Sequence, residues 1–411
     1  VPVTSPPAPV TAGENRVLAA GVAATTASVF PAFLTGAVGV QVRADLGISE
    51  AVVGLAIAAF FATAAGGSMV LGRAAERLGA TTAMRLGLAI SIATLLGVAG
   101  LARSAVSLVA VLLAGGVANA LTQPSANLLL AERVRGERLG LGMALKQAGM
   151  PAATMLGGLA VPALALTVGW RWAYVAGAAL ALVAWALVPP AGAVRETAGG
   201  TAVAGDEDPP LPPPRRSGRP DQPVGLLVGL SAAACLGASA AGALAAFLVS
   251  GAEAAGLGEG PAGLLLTAGS ALGVASRLAH GWLADRRRLD PLARVTVLLA
   301  AGTLGYALFA TGTPAGYLVG TPIAFAFGWS WPGLFNLAVV RANPSGPAAA
   351  TGTTQTGVYL GALAGPAGFG LLVGVGGYPL AWTVTAAVSG AAAAVLAVGR
   401  RRLRRVAPVR R

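Results

Sequence analysis

The chain has 411 residues, of which 55% are hydrophobic and 10% charged, with a net charge of +13 and a mean hydropathy of +0.74. Soluble domains carry roughly 25% charged residues and need a largely polar exterior, so a water-soluble globule is excluded. One cysteine, Cys235, and one histidine, His280, exclude an internal disulfide and argue against a zinc or haem site; no metal or cofactor is expected.

Residues 1–16 read as a cytoplasmic tail; the Pro-rich start lacks the charged segment and cleavage site of a signal peptide. Apolar windows follow at about 17–41, 51–71, 82–102, 106–130, 140–167 and 171–189. The polar stretch 190–223 contains DEDPPLPPPRRSGRPDQ and reads as a disordered cytoplasmic linker. Six more windows fall at about 224–250, 262–283, 292–311, 316–340, 349–374 and 379–399, before a basic cytoplasmic tail at 400–411. Each window can cross a hydrocarbon core of about 30 Å as a helix. Membrane barrels need alternating segments of about ten residues, which are missing. The expected fold is an all-α membrane protein of twelve transmembrane helices in two six-helix pseudo-symmetric bundles, 17–189 and 224–399.

Orientation follows from the basic residues. With both termini cytoplasmic, 23 of the 28 Arg and Lys residues fall inside and three (Arg43, Arg103, Arg171) outside. The net charge is therefore a topology signal of an inner (cytoplasmic) membrane protein, not of nucleic-acid binding. The tail RRLRRVAPVRR suits anionic lipid. A single Lys among these residues, with abundant Ala, Gly and Pro, points to a high-GC bacterial source.

The halves repeat at an offset of 208–209 residues. GRAAERLG at 72–79 aligns with GWLADRRR at 281–288, Pro124 with Pro332, Arg133 with Arg341, and Gln147 and Gly149 with Gln355 and Gly357. GWRWAY at 169–174 aligns with GYPLAW at 377–382, and its aromatics sit where an outer interfacial belt is expected. Two halves of the same orientation form a parallel repeat about the membrane normal.

The loop after the second window and its copy after the eighth carry a resemblance. Gly281, Leu283, Ala284, Asp285 and Arg286 follow the pattern G-x-L-A-D-R-x-G-R-R closely; Gly72, Ala75, Glu76, Arg77 and Gly79 follow it with Glu for Asp. The chain thus resembles the major facilitator superfamily over nearly its whole length. The resemblance implies a secondary transporter, not an enzyme, commonly a monomer. It also implies a cytoplasmic latch at Gly72, Glu76, Arg77, Gly281, Asp285 and Arg286, beside the plainer reading of a solvated loop that sets topology. The Arg that drug/proton antiporters of the superfamily carry in the fourth helix is missing, because Val111 and Leu112 stand before Gly115 and Gly116. The glycine–proline motif of their fifth helix is only partial at Gly149, Pro151, Gly157 and Gly158, with a closer match at Gly361, Gly365, Pro366, Gly368 and Gly370.

Ionisable residues inside a membrane are rare and usually functional. Lys146 and Arg277 lie about 12 Å along their helices from the charged ends, beyond full snorkelling reach. Two cations on opposite halves can clamp an anion, and similarly placed arginines in monocarboxylate porters of the superfamily pair with substrate. The plainer readings are snorkelling or packing for Lys146, and helix-end carbonyls or Glu76 for Arg277. Asn119, Gln123 and Asn127 share one face of the fourth window, and Gln355 and Tyr359 one face of the eleventh; they line a cavity or bond between helices. Gln147 and Asn336 are weaker candidates. Trp329 and Trp331 pack on an organic substrate or in the core. His280 is a proton relay or a polar residue near a loop.

No Asp or Glu falls well inside a window; Asp45, Glu50, Glu253 and Glu259 sit at the outer ends. The expected function is transport of a small organic solute, tilted toward anions, by alternating access, with a coupling proton or a counter-transported anion as a possible partner. The alternatives are an exporter of neutral or cationic drug-like compounds, and a non-transporting sensor or scaffold in the bilayer.

Overall fold

The computed structural model describes residues 12–134, 142, 143, 145–190, 220–286 and 290–406. Most of the 190–223 linker, the end of the basic tail, Arg135 and Arg138 lie outside the described residues, as do the side chains of Asp285 and Arg286. Among the described residues every regular element is a helix.

The N-terminal segment holds α1 (Ala12–Ala37), the short α2 (Gly39–Leu46), α3 (Glu50–Leu78), α4 (Ala80–Leu101), α5 (Ala105–Arg133), α6 (Gly149–Ala160) and α7 (Trp170–Leu187). A π-helical stretch, Val161–Gly169, joins α6 to α7. The C-terminal segment holds α8 (Val224–Ala254), α9 (Glu259–Arg286), α10 (Pro291–Phe309), α11 (Pro314–Ile323), a second π-helical stretch at Ala324–Gly328, α12 (Pro332–Ala342) and α13 (Pro347–Val406).

Among the described residues, ten stretches are long and apolar enough to cross a membrane. Two of them, Leu145–Leu187 with 43 residues and Ala350–Arg402 with 53, are twice the length that one crossing needs. At 1.5 Å per residue they would run about 65 and 80 Å if straight, against a hydrocarbon core of about 30 Å. Each contains a glycine break in the middle. Gly169 has φ 104°, ψ 148°, and Gly377 has φ 71°, ψ −175° next to a non-helical Gly376. Positive φ is costly for any residue with a Cβ, so glycine lets the chain turn there without strain.

The surface is inverted relative to a soluble protein. Val106, Val297, Leu304, Leu318 and Val375 are exposed, whereas the buried set is dominated by alanine. Small buried residues let backbones approach, which is how helices associate when lipid competes for apolar contact. Several such close approaches join the two segments at one end. A Cβ on Gly54 of α3 would lie 2.2 Å from the carbonyl oxygen of Pro366 in α13. A Cβ on Gly158 of α6 would lie 2.6 Å from the Gly263 carbonyl of α9, and the reverse holds equally. Helices α3 and α13, α6 and α9, and α1 and α8 therefore pack across the line between the segments.

Candidate functional site

Pro124 sits inside α5 and, lacking an N–H, weakens the helix ladder there. Lys146 reaches this region. Its Nζ donates to Asn127 Oδ1 at 2.8 Å and lies 3.4 Å from the Gln123 carbonyl oxygen. The side chain is 4% exposed, and no carboxylate among the described residues pairs with it. Gln123 is half-buried, with Nε2 3.5 Å from Ser28 Oγ, while Asn127 is exposed. The polar stripe of α5 thus meets Lys146 through Gln123 and Asn127. Asn119 is buried on the same stripe, with no hydrogen bond to it among the described residues. Gln147, beside Lys146, is exposed.

Arg277 has different partners. Pro332 aligns with Pro124, but the helix there is broken: the π-helical stretch ends at Gly328 and α12 starts at Pro332. Arg277 Nε and Nη2 donate to the Trp329 carbonyl oxygen at 3.1 and 2.6 Å, and the guanidinium stands 5.1 Å from the Trp329 ring centroid. Ser276 Oγ donates to the Ala326 carbonyl at 2.5 Å, and Ser330 Oγ to the Phe325 carbonyl at 3.0 Å. Irregular backbone at membrane depth needs such partners, because lipid supplies none. Of the alternatives the sequence leaves for Arg277, the helix-end carbonyl is the contact observed, and Glu76 is not. Trp329 and Trp331 are both core residues, 6% and 1% exposed. Asn336, Gln355 and Tyr359 are half-buried, with no side-chain hydrogen bond among the described residues. No contact joins Lys146 to Arg277.

Glu76 and Arg77 are exposed at the end of α3 and have no ion-pair partner among the described residues. Gly72 and Gly281 lie inside helices that continue to Leu78 and Arg286, with open space where a Cβ would stand. Neither glycine therefore ends its helix. His280 is half-buried, with Arg294 as its charged neighbour.

Sequence reasoning missed the environment of Glu50. As the first residue of α3 it looks like a wet helix end, yet it is 7% exposed. Arg43 Nη2 lies 2.8 Å from its Oε1, which also accepts the hydroxyl of Tyr378 from α13. Gln41 donates to Glu259 of α9 at the same end. The one hint was the separate placement of Glu50 and Tyr378 at the same predicted interface.

The profile of the Major Facilitator Superfamily matches residues 17–366. A comparison with curated protein sequences finds no match. Among solved structures, the fold is similar to a bacterial homologue of the human lysosomal transporter Spinster in its inward-facing, unoccupied conformation. That match has a TM-score of 0.73 at 15% identity and covers 97% of this chain and 99% of the other. The inward-facing, occupied conformation of a bacterial homologue of that transporter gives 0.74 at 16% identity, over 96% and 98%. At such identities the likeness speaks for the fold.

Proposed function

The chain belongs to the major facilitator superfamily of membrane transporters, and from that premise we propose that it moves a small organic anion across the cytoplasmic membrane by alternating access. One observation carries the anion: Lys146 is buried within a candidate membrane span, and its hydrogen-bond partners among the described residues are neutral oxygens. An ammonium in that position costs several kcal/mol unless a negative partner arrives. A substrate anion supplies that partner, with Asn127 giving up its hydrogen bond as the anion docks. Arg277 has donors beyond the two on Trp329 and adds positive potential from the other segment. Asn119, Gln123, Gln147, Asn336, Gln355 and Tyr359 serve the polar parts of the substrate; those without protein partners need water or ligand, since lipid offers neither.

Alternating access implies two bundles, 17–189 and 224–399, rocking about a central site. The breaks at Gly169 and Gly377 support twelve crossings by dividing the two overlong stretches. The arginine bias supports cytoplasmic termini, and the protein works as a monomer. Gly72, Glu76, Arg77, Gly281, Asp285 and Arg286 form the cytoplasmic latch when the opposite end opens.

The test is thermal stability of the purified protein with organic anions, cations and neutral metabolites, in wild type and Lys146→Gln. A bound ligand raises apparent stability by mass action. Stabilisation by an anion that disappears in Lys146→Gln is the expected result. Stabilisation by cations or neutral drug-like compounds alone, equal in both proteins, overturns the anion reading in favour of an exporter of such compounds.

A further inference from the structure

The end of the molecule that carries Glu50 is closed by contact between the two segments. Gly54 lies against Pro366, and the Glu50 carbonyl against Gly370, where a Cβ would stand 2.6 Å away. Within this seam the Glu50 carboxyl has two unequal oxygens. Oε1 accepts from Arg43 and Tyr378, whereas Oε2 is buried with no hydrogen-bond partner among the described residues. The charged or titratable groups that face it are Arg43 of α2, Tyr378 of α13 and Glu253 at the end of α8. Glu259 of α9 lies beyond them, bonded to Gln41.

Arg43 belongs to the same segment as Glu50 and stays with it in any rocking motion. Tyr378 and Glu253 belong to the other segment and leave when this end opens. Closing therefore strips water from the carboxyl, returns a single hydroxyl donor, and brings a second carboxylate near. The first and last of these disfavour the charged form, and one phenol does not replace the lost water on Oε2.

We propose that Glu50 is a proton-binding site, loaded from the outer side, whose protonation accompanies closure of the outer face. Binding equilibria are reciprocal, so a proton held more tightly in the closed state must itself favour closure. Acid outside then drives the protein toward the form open to the cytoplasm. The inference supplies a coupling or gating ion; it rests on alternating access but not on the anion assignment.

The experiment uses the full-length chain with Cys235→Ser, and spin labels on Arg103→Cys and Thr311→Cys, two exposed positions at the closed end of opposite segments. Electron–electron distances are measured in lipid nanodiscs at pH 5 and pH 8, without ligand. The expected result is a longer-distance population at least threefold larger at pH 8. Glu50→Gln should remain short at both pH values, because it mimics the protonated form. Tyr378→Phe, which removes only a hydroxyl, should enlarge the longer population. Distances that are equal at pH 5 and pH 8 overturn the proposal. So does a pH response that persists in Glu50→Gln, or one that vanishes only in Glu253→Gln. Should no organic anion bind while this pH response holds, the anion reading falls and the proton site stands.

Discussion

Lys146 and Arg277 are both cations within apolar helices, yet they keep opposite company. Lys146 holds a side-chain amide that can rotate away and touches one distant carbonyl. Arg277 directs two N–H groups onto a single carbonyl that a broken helix has left exposed, and lies over the ring of the same residue. On the proposed reading, it is the acceptor and not position along the helix that separates a substrate ligand from a structural pin. An amide side chain is a replaceable partner, whereas an orphaned backbone carbonyl must always be satisfied.

The contrast breaks most sharply on stability. Arg277→Gln should lower the unfolding free energy by about 2–3 kcal/mol, as expected for charge-assisted hydrogen bonds to a buried carbonyl. Lys146→Gln should leave stability level or raised, since it removes an unpaired buried charge. Thermal denaturation in detergent of both proteins reads this directly, and equal losses would erase the distinction. The next largest effect is on binding: Lys146→Gln should weaken the stabilising anion by more than tenfold, about 1.4 kcal/mol. Ser276→Ala sharpens the pin assignment, because it frees the neighbouring Ala326 carbonyl; a loss of about 1 kcal/mol in the same melts is expected. The smallest change is Asn127→Ala, which leaves the charge of Lys146 but not its orientation. Titration calorimetry should show anion affinity about threefold weaker, roughly 0.6 kcal/mol.

The line between the segments shows what a sequence can and cannot convey. Windows such as 106–130 and 224–250 reappear as α5 (Ala105–Arg133) and α8 (Val224–Ala254) within a few residues, because length and hydropathy are local properties. The repeat also pairs Pro124 with Pro332, but α5 runs unbroken through its proline while the chain opens at Trp329–Trp331. A proline weakens both helices equally; whether the helix parts depends on neighbours ready to take the freed carbonyls. Arg277 and Ser276 of α9 supply short bonds to Trp329 and Ala326, whereas beside Pro124 Lys146 stands 3.4 Å from the Gln123 carbonyl oxygen. The candidate site is legible in the same partial way. Asn119, Gln123 and Asn127 share a face by helical spacing, but only the packed structure brings Lys146 to two of them.

By itself the sequence determined the solvent, the helices and their family, since hydropathy over about twenty residues and the recurring loop motif are written along the chain. Only the tertiary structure decided the company of each charge. It buried Glu50 against Tyr378, residues 328 positions apart, and gave Arg277 a carbonyl 52 positions away. The physical reason is that a buried charge is defined by what replaces its water, and that replacement comes from helices which are distant in the chain.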